Sequence, residues 1–379
     1  MITREDLGWD ERFEQAFAPH REKGLIPGRV VVEYGRVCEV WTDQGVETAV
    51  VGGVITHQQE ASEWPKVGDW VALAHTPGAD KALIEAVLER RTRFARKVPG
   101  RNTEEQVLAA NVDTIFIVEG LDRFNLRLLE RYSVMVRAGG IEPVVVLNKA
   151  DLHAKPAKVQ RVVSRATPGL PVLVTSAVTG YGMEDLAARL QPRRTCAFIG
   201  PSGAGKSSLI NRLLGEERLP IGEVREKDAK GRHTTTRREL VILPDGSLLI
   251  DTPGMREFQL WEAQEGLDTA FPDVAELAPN CRFADCTHEN EPGCAVRQAA
   301  EDGRLDPDRY DSYLKLRHEL EHLKEKQDQF AWAARKRHVK SATRAFNKFK
   351  KGELPPMEED EDEEGAEDLF GDTAEDEES

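Results

Sequence analysis

The chain has 379 residues, 40% of them hydrophobic, with five cysteines and a formal net charge of −15. An odd cysteine count, with three of the five clustered, argues against a disulfide framework and for a reducing compartment. No apolar run is long enough to span a bilayer, and Met1-Ile2-Thr3-Arg4-Glu5-Asp6 does not begin a secretory signal, so the expectation is a soluble, cytoplasmic protein of two or three domains. The net charge misleads about partners. Residues 357–379 hold 14 acidic side chains and no basic one, which leaves the rest of the chain close to neutral. That stretch, assigned with its approach to a disordered acidic tail over 352–379, cannot bury a core.

Residues 1–23 are predicted to contain a short amphipathic helix, with Trp9, Phe13 and Phe17 recurring on one face. Such a stripe is read as a docking face for the next domain rather than a partner site. From 24 to 100 the pattern changes to period two with frequent turn residues, as in Arg29-Val30-Val31-Val32-Glu33-Tyr34 and Val67-Gly68-Asp69-Trp70-Val71-Ala72-Leu73. About five short strands and no helix point to an OB-like β-barrel, either structural or with an RNA-binding face. The basic run Arg90–Arg101 reads equally as a solvated connector or a phosphate-contacting strip.

Over 101–265 apolar strands alternate with helices, the signature of a doubly wound parallel sheet covered on both faces. Expected strands are Asp113–Val118, Pro143–Leu147, Pro171–Val174 and Arg194–Ile199; expected helices are Leu126–Ala138, a segment within Lys155–Ser164, and Met183–Leu190. The fourth strand runs into Gly200-Pro201-Ser202-Gly203-Ala204-Gly205-Lys206-Ser207, which fits the phosphate-loop pattern and is followed by Ser208 and a helix ending at Gly215. Glycines let successive N–H groups converge on phosphate oxygens, and the helix N-terminus adds its dipole. Lys206 would reach the β- and γ-phosphates and act in catalysis, and Ser207 would ligate Mg²⁺.

Asn148-Lys149-Ala150-Asp151 and Thr175-Ser176-Ala177 each follow a strand end. An Asp151 carboxylate there accepts from guanine N1–H and the N2 amine, donors that adenine lacks. The Lys149 stem would lie along the base, Asn148 would tie neighbouring loops together, and the backbone N–H groups of 175–177 would approach O6. Asp251-Thr252-Pro253-Gly254 ends the strand Ser247–Ile250, with Asp251 for Mg²⁺ and the Gly254 N–H for the γ-phosphate. Between it and the phosphate loop, Gly231-Arg232-His233-Thr234-Thr235-Thr236 would supply a magnesium threonine, Thr235 before Thr234. Met255 stands where many GTPases place glutamine, so turnover would be slow alone. His233 is the candidate to orient the attacking water, with bracing of the loop as the competing reading.

Here the guanine motifs precede the phosphate loop, a circular permutation that a sheet tolerates when its old termini lie close together. Together with Ala109-Ala110-Asn111-Val112-Asp113 and Asp251-Thr252-Pro253-Gly254-Met255-Arg256-Glu257-Phe258, this order closely resembles the RsgA family of circularly permuted GTPases, over about Gly28 to Lys340. The resemblance implies GTP hydrolysis stimulated by the small ribosomal subunit, late in that subunit's maturation.

Within 266–351, Cys281-x₄-Cys286-x-His288-x₅-Cys294 offers three thiolates and an imidazole, a closed structural zinc set; the resembled family has the same pattern. Cys38 and Cys196 are read as core residues. Arg335–Lys351 holds eight Lys or Arg and no acid, with Phe346 and Phe349 interleaved, and suits rRNA phosphates unless it is simply a solvated helix face. The leading reading is a small-subunit assembly GTPase, monomeric off the ribosome, binding rRNA, GTP/GDP, Mg²⁺ and one zinc. The rivals are a P-loop kinase of a small metabolite and a zinc-containing RNA-binding regulator with a non-catalytic nucleotide site.

Overall fold

The structure is a computed structural model that describes residues 2–58, 63–76, 78–97, 105–216, 238–251, 267–268 and 270–321. Contacts divide the chain into Met1–Gln327 and Asp328–Ser379. The basic run Arg335–Lys351 and the acidic tail lie outside the described residues, as do His233, Thr234, Thr235, Gly254 and Met255.

Helix α1 (Glu11–Arg21) begins one residue after Asp10, whose carboxylate accepts from the Phe13 N–H and caps the first turn. Trp9 therefore precedes the helix. Its ring still meets Trp70 edge-on, with centroids 4.7 Å apart, and Phe13 lies 5.8 Å from the same indole. Phe13, Phe17 and Trp70 are fully buried, so the aromatic stripe docks on the barrel as its spacing predicts.

Strands β1 (Ile26–Tyr34), β2 (Val37–Thr42), β3 (Gly45–Val51), β4 (Trp70–Ala74) and β5 (Ala82–Val87) close into the expected barrel. β1 pairs antiparallel with both β2 and β4, β4 pairs with β5, and β3 runs parallel to β5. One expectation fails here. A short helix, α2 (Gly53–Gln58), connects β3 towards β4, although no helix is predicted in this stretch. Its six residues are too few to show a helical period, and Val54, Ile55 and Thr56 favour strands. What decides it is burial: Ile55 joins the barrel core with Val51 and Ile84.

Two arginines of the basic run after the barrel are used in folding. Arg90 grips the fully buried Asp69 through two nitrogens at 2.9 Å, and Arg91 pairs with Asp10 at 2.7 Å and Asp113 at 3.1 Å. β6 (Arg93–Lys97) and β7 (Glu105–Ala110) then form a two-stranded antiparallel ribbon.

The remaining strands are β8 (Thr114–Gly120), β9 (Glu142–Asn148), β10 (Val172–Val174), β11 (Thr195–Ile199), β12 (Glu239–Ile242) and β13 (Leu248–Asp251). Their order is β10-β9-β8-β11-β13-β12, parallel except for β12, which returns antiparallel to β13. Alternate residues of β8 enter two cores, Ile115 and Ile117 on one face, Phe116 and Val118 on the other. Helices α3 (Leu126–Ala138), α4 (Pro156–Ala166), α5 (Met183–Ala187) and α6 (Lys206–Leu214) connect these strands. Val32 of β1 opposes Glu239 of β12, so barrel and sheet are continuous. Beyond the sheet come α7 (Pro272–Leu277), α8 (Ala295–Glu301) and a helix α9 described over 307–321.

Arg29 joins three of these parts. Only 2% exposed, it donates to the carbonyls of Leu7, Gly68 (3.3 Å) and Asn111 (3.4 Å) and to the Thr195 hydroxyl (2.8 Å), with its guanidinium over Trp70. Burial pulls its pKa down to about 10, yet it stays charged at neutral pH. Arg29→Ala leaves those acceptors unpaired, and we expect a loss of about 3–5 kcal/mol, read as a lower unfolding midpoint in urea.

Candidate nucleotide site and metal centre

Because β9, β10, β11 and β13 run parallel, the motifs that follow them emerge on one edge of the sheet. The reversal of strand order between β8 and β11 opens a crevice there, the usual position for a ligand in this architecture. The phosphate loop leaves β11 tightly. Gly200 has φ +139°, and a Cβ on it would lie 2.0 Å from the Val118 carbonyl oxygen. Gly205, at φ +92°, caps α6, and a Cβ there would strike the Asn148 amide at 2.3 Å. Only glycine fits these two positions.

One side chain holds three motifs together. Asn148 Nδ2 donates to the Ala204 carbonyl at 3.0 Å, while its Oδ1 accepts from Thr175 Oγ1 at 3.3 Å and the Ala177 N–H at 3.2 Å. Ser176 Oγ in turn donates to Asp151 Oδ1. Asp151 is exposed and thus open to a base edge. The N–H groups of 175–177 have partners inside the protein. Thr175 donates to Leu147 O, Ser176 to Tyr181 O and Ala177 to Asn148, so all three are committed within the protein. Of the donors that a linear reading assigns to O6, Asn148 takes the Ala177 N–H, and backbone carbonyls take the other two.

Lys206 Nζ donates to the carbonyls of Gly200 (2.7 Å) and Pro201 (2.9 Å), placing its ammonium inside the loop. Ser207 and Ser208 follow in the first turn of α6, and Ser202 and Gly203 sit exposed at the loop tip. Lys149, with a left-handed backbone (φ +65°), pairs with Asp122 at 3.0 Å. That contact lowers the Asp122 pKa and fixes the lysine stem. Asp251 closes β13 opposite Glu239.

A residue that no motif marks is Glu119, at the end of β8. It is 1% exposed, and its Oε1 has no hydrogen-bond partner among the described residues. Burial pushes its pKa up to about 7 against the opposing pull of the Lys206 charge, and burial lowers Lys206 in return. Since the folded value lies above the ordinary carboxylate value, this group supports folding at low pH. That support is lost as pH rises through about 7. Glu119→Gln should therefore match the parent near pH 4.5 and exceed it at pH 8, by up to about 3 kcal/mol, in thermal unfolding across pH.

In the C-terminal segment, the donor atoms of Cys281, Cys286, His288 and Cys294 all lie within 4.8 Å of one another. Cys281 Sγ is 3.9 Å from Cys294 Sγ, and His288 Nδ1 is 3.5 Å from each. A tetrahedron with Zn–S near ~2.3 Å and Zn–N near ~2.0 Å has edges of about 3.8 Å and about 3.5 Å, so the donor set fits the ion. His288 reaches the cluster with φ +65°. Surrounding groups hold that turn: Tyr310 donates its hydroxyl proton to the His288 carbonyl, Arg317 donates to the Thr287 carbonyl, and Glu291 accepts from the Thr287 and Glu289 N–H groups. Tyr310 and Arg317 carry no motif signal, because their role depends on a turn more than twenty positions away, whereas Glu291 acts within its own turn.

Comparison with known proteins bears on this geometry. The family model RsgA GTPase matches residues 87–261. A relative from Opitutus terrae, "Small ribosomal subunit biogenesis GTPase RsgA", is 50% identical over 329 residues, covering 84% of this chain and 90% of its own. The chain belongs to the RsgA GTPase family. A second RsgA from Methanosarcina acetivorans is 43% identical over 315 residues, covering 83% of this chain and 84% of its own. Among solved structures, YjeQ from Thermotoga maritima superposes with a TM-score of 0.59 at 26% identity, covering 78% of this chain and 98% of its own. YloQ, described as a circularly permuted GTPase, gives 0.56 at 25% identity, covering 80% and 96%. An ABC transporter model also matches residues 183–340, a stretch that contains the phosphate loop common to such nucleotide-binding proteins. Membership explains why the guanine motifs precede that loop.

Proposed function

We propose that this RsgA-family enzyme hydrolyses GTP at the C-terminal edge of its parallel sheet as a timed step in small ribosomal subunit maturation. The observation that carries the reading is the Asn148 amide, which joins the guanine loop, the Thr175–Ala177 turn and the phosphate loop. In this reading Asp151 selects guanine, Lys149 and Ala150 line the base, and Gly200–Ser208 hold the phosphates with Lys206. Magnesium enters with GTP, held by Ser207, Thr235 and Asp251, and supplies charge neutralisation at the phosphates. Gly254 reports the γ-phosphate, and His233 positions water. A kinase has no need of Asp151 beside a Ser176 donor, and an intact Lys206–Ser207 pair speaks against a vestigial site.

The proposed division is 1–23 docking helix, 24–100 barrel, 101–265 GTPase, 266–351 zinc-binding and basic segment, and 352–379 acidic tail. One structural zinc on the Cys₃His set, rRNA contact through barrel and basic segment, a monomeric state off the ribosome and a cytoplasmic location complete it. No helix among the described residues is long and apolar enough to cross a membrane.

The deciding measurement is phosphate release with GTP and with ATP, alone and with purified small subunits. Slow turnover alone, a rise with subunits and indifference to ATP are expected; equal use of ATP, or no response to subunits, overturns the reading. His233→Ala should lose most of the stimulated rate while binding GTP normally, and an unchanged stimulated rate removes it from the mechanism.

A further inference from the structure

We propose that the cavity beside the guanine loop docks single-stranded RNA, with one unstacked nucleotide against Tyr181 and its backbone phosphates on Lys155, Lys158 and Arg161. The inference rests on the reading that this chain works on a ribosomal subunit, and adds a site to it. The cavity is a half-open groove of about 370 Å³ between the start of α4 and the loop that ends at Tyr181. Its lining contains three cations and no carboxylate. None of the three cations makes an ion pair among the described residues, so their charge is available to an anion. Tyr181 is 60% exposed and belongs to no buried core cluster among the described residues. Unpaired cations interleaved with an exposed aromatic are the elements by which single strands are held, phosphates on the cations and a base on the ring.

The site is also wired to the nucleotide loop. The Tyr181 carbonyl accepts from the Ser176 N–H at 2.9 Å, the Thr179 N–H donates to Ser176 Oγ at 3.1 Å, and Ser176 Oγ donates to Asp151. Arg212 of α6 donates to the Ala177 carbonyl at 3.1 Å, bracing the same turn from the phosphate side. A base stacked on Tyr181 therefore stiffens the turn that presents Asp151 to guanine. The two ligands then help each other bind, by the same factor in both directions.

The test uses the full chain and a single-stranded RNA 10-mer containing 4-thiouridine, crosslinked by light and mapped by mass spectrometry. The expected crosslink falls on the peptide around Tyr181 and is competed by unlabelled single-stranded RNA but not by equimolar uridine monophosphate. Tyr181→Ala should weaken RNA binding about tenfold. Lys158→Glu with Arg161→Glu should weaken it more at low salt than at high salt, with labelled-GTP binding intact as the control for folding. Equal competition by the mononucleotide, or crosslinks only elsewhere on the chain, overturns the proposal. Subunit-stimulated turnover separates the two readings: a parent enzyme that small subunits do not stimulate defeats the proposed function, whereas a stimulated parent without the Tyr181 crosslink defeats this inference alone.

Discussion

Asp151→Asn is expected to lower GTP affinity by about 10²–10⁴, and to raise the affinity for xanthosine triphosphate. In the proposed site the carboxylate would accept two charge-assisted hydrogen bonds from guanine, each worth roughly 1.5–3 kcal/mol, and an amide offers only one acceptor and a donor in their place. Xanthine carries a carbonyl where guanine has its amine, so the new donor meets an acceptor. Ser176 already donates to one carboxylate oxygen, which biases the asparagine to keep Oδ1 towards Ser176 and turn its amide towards the base. Titration of fluorescent GTP and xanthosine analogues measures both affinities. Unchanged GTP binding would place the guanine elsewhere, and the sheet-edge site would lose its base-selecting residue.

The second large effect concerns the metal. Removing one ligand by Cys286→Ser, or treating the protein with a strong chelator, should abolish stoichiometric zinc and unfold the segment around 267–321. The apolar support of that segment is modest, with Phe271, Val274, Val296, Ala299, Leu305 and Tyr313 as its principal buried side chains. Structural zinc in small domains contributes an apparent ~10–16 kcal/mol of binding energy, all of it available to folding. The damage should also reach α3, because Arg309 on α9 is 5% exposed and bonds Asp273 at 2.9 Å and Glu130 of α3 at 3.3 Å. Zinc content by mass spectrometry and protease cleavage within 267–321 are the measurements. Purified protein without zinc that resists protease as before would discard the metal assignment.

What is legible in the residues alone follows from the range of the interactions involved. Leu126–Ala138 is helical over the predicted span because Asn125 caps it, accepting from the Leu128 N–H, and Gly139-Gly140 ends it, all within a few positions. The phosphate loop is legible for the same reason: its glycines answer to local φ angles and to neighbours in the next strand. The three cysteines and one histidine of the candidate metal centre lie within fourteen positions, so their convergence needs only two turns. Helix α2 is not legible, since a burial contact of Ile55 overrides weak local preference.

Thus the sequence by itself determined the kinds of loop, their permuted order, the barrel, the sheet and the metal donor set, because each is encoded by spacing or periodicity over a short stretch. The tertiary structure decided that Asn148 would bridge three loops and that the donors of 175–177 would be consumed internally. It also decided that Glu119 would sit buried near the charge of Lys206, and that Arg29 would join the segment before α1, the barrel and the sheet. These depend on which distant strands become neighbours, and burial and charge pairing across such gaps leave no periodic trace in the chain.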